Sequence, residues 1–350
     1  MNTITFDFSE IYKNIETALN LALPEYANED WTSKSFGNLN KNITSNHIQN
    51  LISPNKELIK LGGKRWRPLL LILCYKTTKS KNKNALTEEQ TYSLTPLVEF
   101  VHTASLIHDD IEDNSDLRRG KPAAHITYGT DAALNAGSYL YFEAPVCINN
   151  LKISDELKIK FYEVYTNELR KLHLGQAMDI YWHNNPRFFP TEDEYLAMVK
   201  NKTGTLASLS ATIGCMAGGM NYEKAKICGE IAANIGMGFQ IIDDVINLTT
   251  GNVGKKRGDD IVERKKSLPI LIHAKKYPTD KEKIADFMDC ASKDGIESPA
   301  VENLINLLQK SDCINIAAQQ GIMLIKENCK LFNSDEITQL FFSMIPECFK

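Results

Sequence analysis

Two stretches of this sequence set carboxylates at helical spacing. HDDIEDNSDLRRG, residues 108–120, carries Asp109, Asp110, Glu112, Asp113 and Asp116 directly before Arg118 and Arg119. Asp109 and Asp113 are four apart, which on a helix stacks both on one face. Two adjacent carboxylates repel unless a cation lies between them. Mg2+ suits that position, since it takes oxygen ligands and is commonly held by one or two carboxylates plus substrate phosphates. Arg118 and Arg119 cannot ligate a metal, but their planar forks match phosphate. FQIIDDVIN, residues 239–247, is the second stretch. Gln240, Asp243 and Asn247 share a face inside an otherwise apolar run, where a carboxylate is costly without a counterion. Two such rows predict facing helices around one ion cluster. Between them in sequence, GQAMD sets Gln176 and Asp179 three apart.

Competing readings are weighed against this. An EF-hand loop needs Gly at its sixth position and Glu at its twelfth. Counted from Asp109 these are Asn114 and Gly120, so the pattern fails. A solvated, charged helix end explains one acidic run, but not a second in an apolar helix. The basic elements follow the same logic. GGKRWRP, residues 62–68, packs Lys64, Arg65 and Arg67 beside a glycine pair that lets backbone approach an anion. NKTG supplies Lys202 and Thr203. GKKRGDDIVERKKSLP supplies Lys255, Lys256, Arg257, Lys265 and Lys266 in a loop able to close over a charged ligand. Each piece alone is an ordinary solvated loop. Together with two acidic rows they point to two diphosphates and a magnesium cluster.

The elements that position these residues read as helices. LTPLVEFVHTASLIHDDI, DELKIKFYEVYTNELRKLHLGQAMDIYW, DEYLAMV, ICGEIAANIGMGFQIIDDVINL and the tail from Ala300 to Cys329 carry apolar residues near a 3.6 period. No sustained alternation of β-branched residues argues for a sheet. Breaks are expected at 53–56, 76–85, 183–193 and 249–260. None of these is a convincing linker, so the expectation is an all-α chain forming one large helical domain over 1–350. At 350 residues and 43% hydrophobic, a large core can be buried. A net charge of -4 argues against a nucleic-acid partner. The longest apolar run, PLLLILCY, is too short to span a bilayer. Residues 1–30 read as neither signal nor transit peptide. Eight singly scattered cysteines without C-x-x-C spacing read as free thiols in a reducing cytoplasm.

The motifs DDIED…LRRG, FQIIDDVIN, GGKRWRP, GQAMDIYW, NKTG and KKSLP resemble, in type and order, those of the trans-isoprenyl diphosphate synthases over residues 60–275. DDIEDNSDLRRG, LHLGQAMDIYW and the DDxxN form of the second motif are most similar to the eukaryotic geranylgeranyl diphosphate synthases. The resemblance implies an isoprenoid-synthase helical bundle with a central cavity, working at least as a homodimer. It implies three Mg2+ ions held by Asp109, Asp113 and Asp243, with Asp179 assisting. Arg118, Lys202, Thr203, Gln240, Lys256 and Lys265 match positions on the allylic diphosphate. Gly63, Lys64, Arg67, His102 and Arg119 match the isopentenyl diphosphate site. Asn247 stands where many relatives have Asp.

The implied reaction condenses isopentenyl diphosphate with dimethylallyl, geranyl or farnesyl diphosphate. Its product is geranylgeranyl diphosphate, with farnesyl diphosphate the alternative. Ala104 and Ser105 are small where one farnesyl-making type has aromatics, so a growing chain passes them. Tyr141, Phe142 and His173 resemble floor positions of the geranylgeranyl subtype. A terpene cyclase shares the aspartate motif but has no need of GGKRWRP. A non-catalytic partner subunit would have lost motif residues, and here both acidic rows survive.

Overall fold

The computed structural model describes residues 6–79, 84–251 and 256–349. Its contacts divide the chain into two compact units, Met1–Asn167 with Leu209–Gly229, and Glu168–Ser208 with Glu230–Lys350. The boundary falls within the helices Asp155–His183, Thr205–Ala217 and Tyr222–Thr249. Helices make up nearly all the secondary structure of the described residues. The exception is a ladder in which Leu117–Arg118 pairs with Lys121–Pro122.

In the first unit, the helix Pro96–Glu112 packs most extensively against Thr130–Glu143, which also receives Ser45–Lys60. Trp66–Lys79 is apolar all round because it is buried all round: every residue from Leu69 to Tyr75 is hidden. Its neighbour in this unit carries Gly214 and Gly218, one turn apart. A methyl group at Gly214 would fall 2.2 Å from the Leu71 carbonyl oxygen, so the close crossing requires glycine. Pro54, expected to mark a break, lies inside Ser45–Lys60. Proline removes one N–H from a helix. The carbonyl thereby orphaned is that of exposed Asn50, which water can serve.

The second unit has its own core, running from Trp182 and Tyr195 through Ile241 and Leu271 to Leu304 and Ala318. Expected as one helix, the tail from Ala300 to Cys329 is instead two, Pro299–Lys310 and Cys313–Phe332. The break has no Gly or Pro to announce it. It is made by Asp312 in the left-handed region and by Ser311, whose hydroxyl pairs with His273 Nδ1 at 2.8 Å.

Lys266 is the largest polar anomaly of this core. It is 2% exposed, and its amine donates to the Pro186 carbonyl at 3.0 Å while facing the Phe189 ring at 4.9 Å. Burial pulls it down to about 8; Asp289 opposes the shift, and Arg264 and Arg187 reinforce it. Between that value and the ordinary 10.5, the unfolded chain binds the extra proton, so stability rises with pH across this window. The cost of the buried charge is fully present below pH 8. A Lys266→Met variant is therefore expected to be more stable by roughly 1–2 kcal/mol at pH 7, the relieved charge outweighing the lost hydrogen bond. That advantage should fade towards pH 10. Thermal midpoints of both proteins at the two pH values check this, and a loss at pH 7 or a pH-independent difference refutes it.

Candidate active site

The first unit gathers the GGKRWRP loop, the first acidic motif and the two arginines after it. Asp109 and Asp113 sit at the C-terminal end of Pro96–Glu112, both half-buried. Asp110 points the other way and is 1% exposed. The chain returns to it through a two-residue turn in which Arg119 and Gly120 both have positive φ, 54° and 76°. That is the twist which closes a tight hairpin. The turn lets Arg118 grip Asp110 through Nε at 2.9 Å and through Nη2. Burial lifts the Asp110 carboxyl above its ordinary range although Arg118 pulls it down. Arg118, expected on a diphosphate, is thus a carboxylate clamp in this structure.

Arg119 goes elsewhere. Its guanidinium lies on the bare face of Gly63, where a methyl group would stand 2.9 Å from Nη2. Gly63 also has φ of 143°, so both backbone and space call for glycine. Arg67 lies over the Trp66 ring at 4.5 Å, and its Nη1 reaches 3.4 Å from His102 Nε2. A guanidinium only donates, so Nε2 accepts and a neutral His102 carries its proton on Nδ1. Burial, then Arg67 and Arg119, hold His102 well below its usual value. Lys64 is exposed at the mouth of this group. Arg65 faces inward to Glu99 at 2.5 Å and Glu16 at 2.6 Å. It offsets one of these two carboxylates, and Lys64, Arg67 and Arg119 outweigh the other, so the surroundings of Gly63 stay net positive. Such an arrangement suits a polyanion.

Ala104 is fully buried, and Ser105 turns its hydroxyl to the His102 carbonyl at 2.8 Å. Tyr141 is 8% exposed. Phe142 is 77% exposed. Adjacent residues of a helix lie about 100° apart, so burying Tyr141 turns Phe142 outward.

In the second unit, the five-residue wide turn Lys200–Gly204 carries NKTG. Glycines on both sides admit it. A methyl group at Gly175 of GQAMD would meet Lys202 N at 2.3 Å, and one at Gly204 would meet the Ala233 carbonyl oxygen at 2.8 Å. Lys202 pairs with Asp179 at 2.7 Å, and Thr203 donates to Gln240 Oε1 at 2.9 Å. Gln240 Nε2 donates on to Asp244 Oδ1 at 3.1 Å, and the Tyr195 hydroxyl donates to Asp244 Oδ2 at 2.6 Å. The apolar helix buries Asp244, not Asp243, which is exposed. Burial pushes Asp244 up to about 6, against its hydrogen bonds from Tyr195 and Gln240.

Asn247, which stands where many relatives have Asp, is 1% exposed. Its side-chain oxygen accepts from Asp260 N at 3.3 Å, and its carbonyl accepts from Gly258 N at 2.9 Å. It anchors the returning loop. Lys265 pairs with Glu263 and stands 3.9 Å from Asp260. Lys256 pairs with Glu297, and both side chains are exposed. Lys255 lies outside the described residues, and His173 is exposed.

The expected metal can be tested against these donors. Among the described residues no group of three His, Cys, Asp or Glu side chains forms a ready cage. What each unit offers is carboxylate oxygen: Asp109 and Asp113 a turn apart in one, Asp179 and Asp243 in the other. An oxygen-only set suits Mg2+, which uses few protein ligands and completes its shell with water and phosphate. Of the chain's own cations, Arg118 sits on Asp110 beside the first pair, and Lys202 sits on Asp179, itself one of the second unit's donors. The donors therefore fit the ion.

Sequence reasoning missed Asp110 as the clamp for Arg118, Tyr195 as the support of the second motif, and Gly175 as the seat of Lys202. Of these, only Gly175, a glycine inside a long helical pattern, gave a signal.

Among the described residues, no helix is long and apolar enough to cross a membrane. The sequence matches the polyprenyl synthetase family over residues 48–307. It is 34% identical over 263 residues to the short chain isoprenyl diphosphate synthase of Methanocaldococcus jannaschii, covering 75% of this chain and 77% of that protein. It is 31% identical over 291 residues to the geranylgeranyl diphosphate synthase of Methanosarcina mazei, covering 79% and 87%. The fold is similar to that of the crystal structure of geranylgeranyl pyrophosphate synthetase from Pyrococcus horikoshii, with a TM-score of 0.78, 27% identity, and coverage of 96% of this chain and 95% of that one.

Proposed function

We propose, from the premise that this chain belongs to the polyprenyl synthetase family and is a trans-prenyltransferase, that it condenses isopentenyl diphosphate with short allylic diphosphates to geranylgeranyl diphosphate. The observation that carries the reading is the net positive surroundings of Gly63, set in the same unit as the Asp109–Asp113 pair. A cation-lined diphosphate seat in addition to an acidic row is what a two-substrate condensation needs and a cyclase does not.

In this reading Arg67, Arg119, Lys64 and neutral His102 bind isopentenyl diphosphate. Lys202, Thr203, Gln240 and Lys265 take the allylic diphosphate, joined by Arg118 when it exchanges Asp110 for phosphate. Lys256 would join from the loop. Asp109, Asp113 and Asp243, assisted by Asp179, would hold Mg2+, which when bound supplies Lewis-acid neutralisation of the leaving group. The fixed cations are aimed where negative charge develops as the allylic C–O bond breaks. The double bond of isopentenyl diphosphate then attacks the allylic carbon, and a proton leaves to restore unsaturation. No protein nucleophile takes part. The working form is expected to be at least a homodimer in the cytoplasm.

The test is incorporation of labelled isopentenyl diphosphate with five-, ten- and fifteen-carbon primers, with and without Mg2+, followed by chromatography. A twenty-carbon diphosphate is expected with each primer. A product stopping at fifteen carbons moves the assignment to farnesyl diphosphate. Cyclised hydrocarbon or no incorporation overturns it.

A further inference from the structure

Within the first unit, a close helix crossing lies one residue before the first acidic motif. Gly137, in Thr130–Glu143, sits under His108 of Pro96–Glu112. A methyl group at Gly137 would stand 3.0 Å from His108 Nε2, 3.1 Å from its Cδ2 and 3.3 Å from Ile107 Cγ2. Those separations are inside the range at which carbon rests against its neighbours. The backbone here is ordinary helix, so conformation does not call for glycine; a methyl would require the imidazole to give by a few tenths of an ångström. His108 is then held at three points on one face of the facing helix. Nε2 stands 3.4 Å from the Leu134 carbonyl, which can only accept, so Nε2 carries the proton. It also lies 3.3 Å from Ser138 Oγ, and the ring meets Tyr141 at 5.4 Å between centroids. Leu134, Ser138 and Tyr141 are spaced i, i+4 and i+7.

His108 is covalently next to Asp109, and Tyr141 is the buried candidate for the product floor. We infer that His108 and Gly137 form a bolt setting the height of Asp109 and Asp113 against the helix that carries Tyr141, so that grip on a cation–diphosphate pair and product length are tuned together. The inference rests on the prenyl-chain reading above. His108 is a positioning residue in it and touches no substrate.

The experiment uses three variants of the full chain. In Gly137→Ala the new methyl pushes the ring aside by a few tenths of an ångström. In His108→Ala the ring is gone. In Gly137→Ala/His108→Gln a flexible amide can step aside and still donate to Leu134. Calorimetric titration with Mg2+ and inorganic pyrophosphate reads the acidic motif without turnover, and chromatography after reaction with farnesyl diphosphate reads product length. Both single variants are expected to weaken Mg2+–pyrophosphate binding by about tenfold, the scale for residues that orient metal ligands. Both are also expected to change the product distribution, and the double variant should recover towards the parent in each readout. A Gly137→Ala protein that loses thermal stability but moves neither readout makes the contact merely structural and overturns the inference. If Gly137→Ala does not fold, an unshifted His108→Ala is equally fatal. If the parent itself incorporates no isopentenyl diphosphate, the prenyl-chain reading fails, and calorimetry alone then decides the bolt.

Discussion

An Asp109→Ala variant is expected to keep the helical circular dichroism and thermal midpoint of the parent while losing at least about 10²–10³ in kcat/KM, the usual effect of deleting one group aimed at charge in a transition state. The two halves of that expectation have separate physical grounds. Asp109 lies in the last turn of Pro96–Glu112, where the helix dipole disfavours a carboxylate. Asp110 is there too, Glu112 follows, and Asp113 is the C-cap, so this end of the helix carries negative charge against its own electrostatics. Removing one acid should leave stability level or raise it by a few tenths of a kcal/mol. The proposed metal role would give that locally unfavourable charge a use outside the helix. Asp110→Ala makes the contrast. It strands Arg118, unties the hairpin and should lower the midpoint, whereas Asp109→Ala should not. Steady-state rates and melting curves of both variants check the pair. Near-normal turnover in Asp109→Ala would falsify the role given to the first motif.

The contrast also shows what could be read before the fold was known. Period 3.6 separates Asp109 and Asp113 from Asp110, so the sequence could say which acids share a face. It could not say that Arg118 folds back onto Asp110, because that depends on a two-residue turn whose first member, Arg119, adopts positive φ without being Gly or Asn. Asp243 and Asp244 show the same limit. Both lie in an apolar run, but only the packed helix decides that Asp244 is buried on Tyr195 while Asp243 faces out. The helices themselves were legible from periodicity. Pro54 and the Ser311–Asp312 break were misread because tertiary packing overrode a local breaker in one case and made one in the other. Asn247 was legible only as standing where many relatives have Asp; its loop-anchoring bonds to residues 258 and 260 involve partners more than ten positions away. The partner of a polar side chain is a long-range property, and spacing carries little of it.

Arg65 gives the largest stability effect expected here. It is 6% exposed, bonded to Glu99 at 2.5 Å, to Glu16 at 2.6 Å and to the Ile59 carbonyl at 2.6 Å. Burial drives the Glu99 carboxyl above its ordinary range even with Arg65, Arg67 and Arg119 pulling it down. The pair is therefore weak as a net source of stability, but breaking it is costly, because removing one partner strands a buried charge. Arg65→Met is expected to destabilise by about 3–5 kcal/mol. It should also raise the KM for isopentenyl diphosphate, since Glu99 without Arg65 draws Arg67 and Arg119 towards itself and away from substrate. Removing both charges is a different experiment. Arg65→Met/Glu99→Leu replaces the pair with apolar volume and should recover most of the stability, as such replacements are often neutral. Denaturant unfolding of the two single variants and the double closes the cycle. If the double is as unstable as Arg65→Met, the arginine's value lies in packing and its bond to the Ile59 carbonyl, and the charge argument fails.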